Sequence, residues 1–135
     1  MNMNLAHQKP TLQKVYQEIG QEEGLAQFLD EFYQRLSQDV LVGFFFDGKD
    51  LKKIARLQKE FLMRTWGISD SYTGKPIAHA HDAIAPILRG HFDRRLFILK
   101  EMLHKKGLNA QLIEAWVSFE SRFRRLVQGD LNQPS

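Results

Sequence analysis

The chain contains no cysteine. That excludes a disulfide framework, thiolate metal sites and a cysteine nucleophile. It is what a reducing, intracellular compartment would favour, so a cytoplasmic protein is expected. Long apolar runs are missing as well. Nothing approaches the roughly 20 residues of a membrane span, and Met1 to Pro10 is polar, without the apolar core of a signal peptide. No membrane partner is expected. Gly-x-Gly-x-x-Gly and Walker patterns are absent, so the chain offers no phosphate-cradling loop. No Ser/His/Asp constellation can be placed by spacing. The sequence carries no internal repeat and no low-complexity tract, and it lacks a strong charge of either sign. The net charge is +3 with a pI of about 9.3. Basic residues are interleaved with acids, apart from clusters around Arg89 to Arg95 and Arg122 to Arg125. Such clusters are usually solvated helix faces, and they give little ground for nucleic-acid binding.

Apolar and aromatic residues are plentiful. Of the 135 residues, 43% are hydrophobic and 10 are phenylalanine. That is enough for one domain with a substantial core and a wall of rings. No stretch alternates like a strand, whereas helical spacing recurs from end to end. A short helix is expected from Thr11, after Pro10, to Ile19, closed by Gly20. Leu25, Phe28, Leu29, Phe32 and Leu36 form one helical stripe, with Tyr33 at its edge. The run Phe44-Phe45-Phe46 then leads to the turn signal Asp47-Gly48. Asp50 is placed to cap a helix carrying Leu51, Ile54, Leu57, Gln58, Phe61, Leu62 and Trp66, and Gly67 ends it. Ser69 to Pro76 reads as loop. Ile77 to Ile84 reads as a short helix stopped before Pro86. Phe92, Leu96, Leu99, Met102 and Leu103 define a further helix up to Gly107. Asn109 caps the last, whose apolar face holds Leu112, Ile113, Trp116, Phe119, Phe123 and Leu126. The fold class is all-α, with residues 1–10 a polar extension, 11–128 the domain and 129–135 a polar tail.

Three features could carry chemistry. His81 closes the segment Tyr72-Thr73-Gly74-Lys75-Pro76-Ile77-Ala78-His79-Ala80-His81. A single histidine is more often a surface or satisfied core residue, and His7, His79, His91 and His104 supply that background. A neutral imidazole can, however, hold one face of a haem iron. Tyr33 and Gln58 are polar groups within apolar stripes. The bland reading is a hydroxyl reaching solvent and an amide on a helix flank. The functional reading is two donors aimed into a dry pocket, where each would need the other or a ligand as partner. Phe46 and Phe61 are ordinary core rings on one reading, and a clamp for a flat aromatic cofactor on the other.

Taken together these residues resemble the truncated, two-over-two haemoglobins, and group I most. The likeness runs from about Val15 to Leu126. It is carried by Val15-Tyr16-Gln17-Glu18-Ile19-Gly20, Phe32-Tyr33-Gln34-Arg35 and Gly43-Phe44-Phe45-Phe46. It continues in Gln58-Lys59-Glu60-Phe61, Tyr72-Thr73-Gly74, Ala80-His81 and His91-Phe92-Asp93. The order and spacing of these segments are specific where no single one is.

The resemblance implies a two-over-two helical sandwich around haem b. His81 matches the proximal, iron-binding histidine. Tyr33 and Gln58 match the distal donors of the second and third helices. Phe46 matches the aromatic on the haem face, while Ile54, Phe61, Leu62 and Ile77 match apolar wall positions. Gly20, Gly48 and Gly74 match family turns. Arg56 is the cation assigned to the propionates, with Tyr72 as a hydrogen-bond donor there.

The function implied is binding of dioxygen, nitric oxide or carbon monoxide. Donors such as Tyr33 and Gln58 would slow ligand release, which suits nitric oxide dioxygenation or sensing better than bulk oxygen transport. An unidentified reductase and a monomeric state accompany that reading. The chain departs from the pattern at Arg95, which falls where the family has an apolar or tryptophan residue. The residue is expected to sit on a displaced helix, to turn outward, or to reach a propionate. A charge facing the porphyrin favours the alternative reading, a non-catalytic globin-fold sensor or regulatory domain. A basic nucleic-acid module explains neither Tyr33 with Gln58 nor the loop before His81.

Overall fold

A computed structural model describes residues 5–69 and 89–122, with side chains from Gln8 to Ser69 and from His91 to Arg122. The expectations for Tyr72, Gly74, Ile77, His81, the helix at 77–84, Phe123, Leu126 and the tail at 129–135 lie outside these residues. Five α-helices make up the described fold: α1 (Leu5–Ile19), α2 (Gln21–Ser37), α3 (Leu51–Thr65), α4 (Arg89–Lys105) and α5 (Ala110–Ser121). A 3-10 turn, Gly43–Phe46, lies between α2 and α3. Among the described residues there is no strand. Helix α2 packs on α3 and α4 on α5; α2 also touches α4, and α1 lies against α5 and α2. The result is two helix pairs, one over the other, with α1 along one side.

The caps appear where the sequence puts them. Asp50 accepts a hydrogen bond from the Lys53 backbone N–H at 3.1 Å, and Asn109 accepts from that of Leu112 at 2.9 Å. Each satisfies a backbone donor that the first turn leaves without a partner. Gly67 and Gly107, at φ 77° and 93°, end α3 and α4 in the left-handed region that favours glycine. At the α1–α2 elbow a side chain on Gly24 would collide with the Ile19 carbonyl, so only glycine lets the two helices approach there.

Helix α1 differs from expectation. It begins at Leu5 and runs through Pro10. Proline removes one backbone bond near the start of this helix. Burial of Gln8, Leu12 and Val15 against the other helices offsets that loss.

Rings dominate the core. Trp66 at the end of α3 meets Trp116 of α5 edge-on, with centroids 5.1 Å apart, and Phe28 of α2 lies 5.4 Å from Trp116. Phe61 and Trp66 both reach Phe119, at 6.2 and 6.0 Å. These contacts join α2, α3 and α5 at one point, and each well-oriented aromatic pair adds about 0.5–1.5 kcal/mol beyond area burial.

The corner after α2 is held by charge. Asp39 accepts from Arg94 Nη2 at 2.7 Å and from Arg94 Nε at 3.1 Å, and from the backbone N–H of Leu41 at 3.0 Å. The Arg94 hydrogen bonds lead in holding the Asp39 carboxyl well below the usual carboxylate range. This latch ties α4 to the corner and fixes the 3-10 turn that delivers Phe46.

Candidate functional site

Three elements supply the candidate residues. Helix α2 supplies Tyr33, the 3-10 turn supplies Phe46, and α3 supplies Ile54, Gln58, Phe61 and Leu62. Positions 54, 58, 61 and 62 fall three or four residues apart and therefore share a face of α3. Ile54 is half-buried, while Phe46, Phe61 and Leu62 are buried. The ring of Tyr33 meets that of Phe46 edge-on at 6.0 Å and that of Phe32 at 5.3 Å. Phe46 and Phe32 thus flank Tyr33, whereas the ring contact of Phe61 is with Phe119.

Tyr33 is fully buried, and Gln58 is 4% exposed. They are not hydrogen-bonded to each other. No hydrogen bond joins the Gln58 side chain to a described residue, and its amide atoms are not among the fully buried unpartnered ones. The Tyr33 hydroxyl has one hydrogen bond: it accepts from Arg95 Nη1 at 3.3 Å. Burial pushes the Tyr33 phenol above its ordinary value, and the neighbouring Arg95 charge offsets this only in part. The group therefore keeps its proton.

Arg95 does not turn outward. It points inward, 1% exposed, and its Nη2 donates to Glu120 Oε1 at 2.8 Å; Glu120 is itself 2% exposed. The guanidinium carbon lies 5.0 Å from the Phe32 ring centre and 5.4 Å from that of Tyr33. Burial works against the charged guanidinium, yet the Glu120 charge, Tyr33 and the hydrogen bonds to both outweigh it and raise its affinity for the proton. Of the Arg95 nitrogens, Nε is buried without a partner among the described residues.

Glu120 is the site residue that the sequence reading missed. The signal was there in pieces. Glu120 lies four residues after Trp116, on the buried face of α5, and Arg95 lies three after Phe92, on the buried face of α4. Two opposite charges, each alone on an apolar stripe, are best accommodated as a pair.

The propionate assignment has a weaker footing. Arg56 is exposed and pairs with Glu60 on its own helix at 3.4 Å. His91 packs against the rings of Phe44 and Phe45, at 5.8 and 5.1 Å. Among the described residues no helix is long and apolar enough to cross a membrane.

Comparison with known proteins agrees with this architecture. The bacterial-like globin family matches residues 14–128. The chain is 34% identical over 102 residues to the group 2 truncated hemoglobin YjbI of Bacillus subtilis, covering 73% of this chain and 76% of that protein. It is 31% identical to the group 1 truncated hemoglobin GlbN of Synechocystis, covering 73% and 82%. In three dimensions it superposes on the 2/2 hemoglobin from Synechococcus sp. PCC 7002, solved in the cyanomet state with covalently attached heme. That match has a TM-score of 0.71 and 24% identity, and spans 84% of this chain and 96% of the other; it establishes the fold. With two helix pairs and these relatives, the chain belongs to the bacterial-like globin family, which binds ligands through haem.

Proposed function

We propose that this protein holds haem b on His81 and binds dioxygen, nitric oxide or carbon monoxide on the opposite side, under Tyr33 and Gln58. The observation that carries the reading is Tyr33: fully buried, ringed by Phe46 and Phe32, with a hydroxyl that accepts from Arg95 and has no acceptor for its own proton among the described residues. Gln58 is nearly buried on the α3 face that carries Phe61 and Leu62. The lining suits a flat apolar group: Phe46, Phe61 and Leu62 are buried, Ile54 is half-buried, and the nearby Arg95 charge is matched by Glu120. Ile77 would extend that lining, and Arg56 with Tyr72 would meet the propionates.

When bound, haem would be held by His81 and would supply an iron able to take a diatomic ligand. The chain's part is to donate. Tyr33 keeps its proton, Gln58 offers N–H, and both stabilise negative charge on the ligand's outer atom. The same donors suit the joining of nitric oxide and dioxygen to nitrate, a net one-electron reduction that calls for an external reductase. Group 1 proteins recur among the relatives, and the Tyr33–Gln58 pair fits that group. The sensor alternative drew on Arg95 as an unmatched charge beside the porphyrin, and the pairing with Glu120 removes that ground.

Oxygen-release kinetics test the reading. Tyr33→Phe with Gln58→Leu should release dioxygen at least tenfold faster than wild type, the ratio set by about 1.4 kcal/mol. Unchanged kinetics in the double variant would defeat the distal assignment.

A further inference from the structure

We propose that Arg95 and Glu120 are positioning residues that hold the Tyr33 hydroxyl as a proton donor toward the bound ligand. This rests on the haem reading above. A phenol hydroxyl rotates freely about its C–O bond and can accept or donate. Here its oxygen accepts from Arg95 Nη1 at 3.3 Å, and no described residue accepts its proton. With that acceptor role filled, the proton is left for a partner in the pocket. A cationic donor also draws charge from the oxygen and strengthens the O–H as a donor.

The guanidinium is itself immobilised. Glu120 anchors it through Nη2 at 2.8 Å, and the rings of Phe32 and Tyr33 flank it at 5.0 and 5.4 Å. Stability alone is a poor reason for the pair, because well-packed apolar side chains commonly serve as well as a buried ion pair. What the pair provides that leucine would not is a fixed direction for the Tyr33 proton.

The test compares wild type, Tyr33→Phe, and the charge-free double variant Arg95→Met with Glu120→Leu. The readouts are the C–O stretch of the ferrous carbonyl form and the oxygen-release rate. A donor touching the ligand lowers the stretch. The double variant should shift it upward toward the Tyr33→Phe value, with Tyr33 still present, and should release dioxygen about tenfold faster. In haem-free protein labelled at tyrosine Cζ, the Tyr33 resonance should move in the same variant. A double variant that keeps the wild-type stretch, release rate and resonance overturns the positioning role while leaving Tyr33 as donor. If wild type and Tyr33→Phe share one stretch, the distal role of Tyr33 falls and takes this proposal with it; if wild type takes no haem, the haem reading itself falls. Should the double variant not fold, Arg95→Lys keeps a cation opposite Glu120 and loses the guanidinium fork that reaches Tyr33. It should give a smaller shift of the same sign, and no shift there overturns the role.

Discussion

Breaking the Arg95–Glu120 pair one side at a time should be costly, whereas removing both sides should not. The two groups are 1% and 2% exposed and meet at 2.8 Å. Removing one partner of such a pair leaves an uncompensated charge and costs about 3–5 kcal/mol. Whole domains are stable by only about 5–15 kcal/mol, so either single substitution takes a large part of the total. For a chain of 135 residues the melting temperature should fall by roughly 10–15 °C.

The two sides should differ. A carboxylic acid stranded in the core can take up a proton and become neutral, whereas a guanidinium stays charged. Glu120→Leu should therefore be the more damaging single change, and Arg95→Met the milder. The double variant should recover most of the loss, short of about 1–2 kcal/mol for the cation–π contacts with Phe32 and Tyr33. Urea denaturation at neutral pH measures all three against wild type. A double variant less stable than either single, or singles within about 0.5 kcal/mol of wild type, would refute the view that these charges are buried against each other.

Other outcomes follow from the same structure. Asp39→Asn should destabilise the protein at neutral pH. Because the native carboxyl titrates below its unfolded value, the stabilisation is present above about pH 4 and fades as pH falls toward the native value. The gap from wild type should therefore narrow in acid melts, and a gap independent of pH would contradict the Arg94 latch. Trp116→Ala, at the meeting point of α2, α3 and α5, should cost about 3–5 kcal/mol by chemical denaturation. Asn109→Ala should cost about 1 kcal/mol through loss of the α5 cap, and an unchanged denaturation midpoint would count against that cap. His81→Ala should lose or shift the Soret band, read by absorbance after haem is added.

The helices were legible because their signals are local. Asp50 and Asn109 act on backbone groups three residues away, and Gly67 and Gly107 terminate their own helices. The stripe Leu25, Phe28, Leu29, Phe32 and Leu36 required only a 3.6-residue period. The start of α1 was not legible, because Pro10 argues for a break, whereas contacts with distant helices carry the helix back to Leu5. Tyr33 and Gln58 were legible as polar residues on apolar faces, and their burial followed. Their partners were not. The sequence reading left each needing the other or a ligand, but Tyr33 turned to Arg95, 62 residues along the chain. Arg95 was a visible anomaly whose explanation lay on another helix, at Glu120, and such a pairing is fixed only when α4 packs on α5.

Absorbance of the purified protein, taken ferric, then ferrous, then ferrous under carbon monoxide, tests the central claim most directly. The account predicts a Soret band that shifts on reduction and again with carbon monoxide, as a histidine-held haem with an open ligand side requires. A protein that shows no Soret band after haem is added, or one whose ferrous spectrum ignores carbon monoxide, would contradict it.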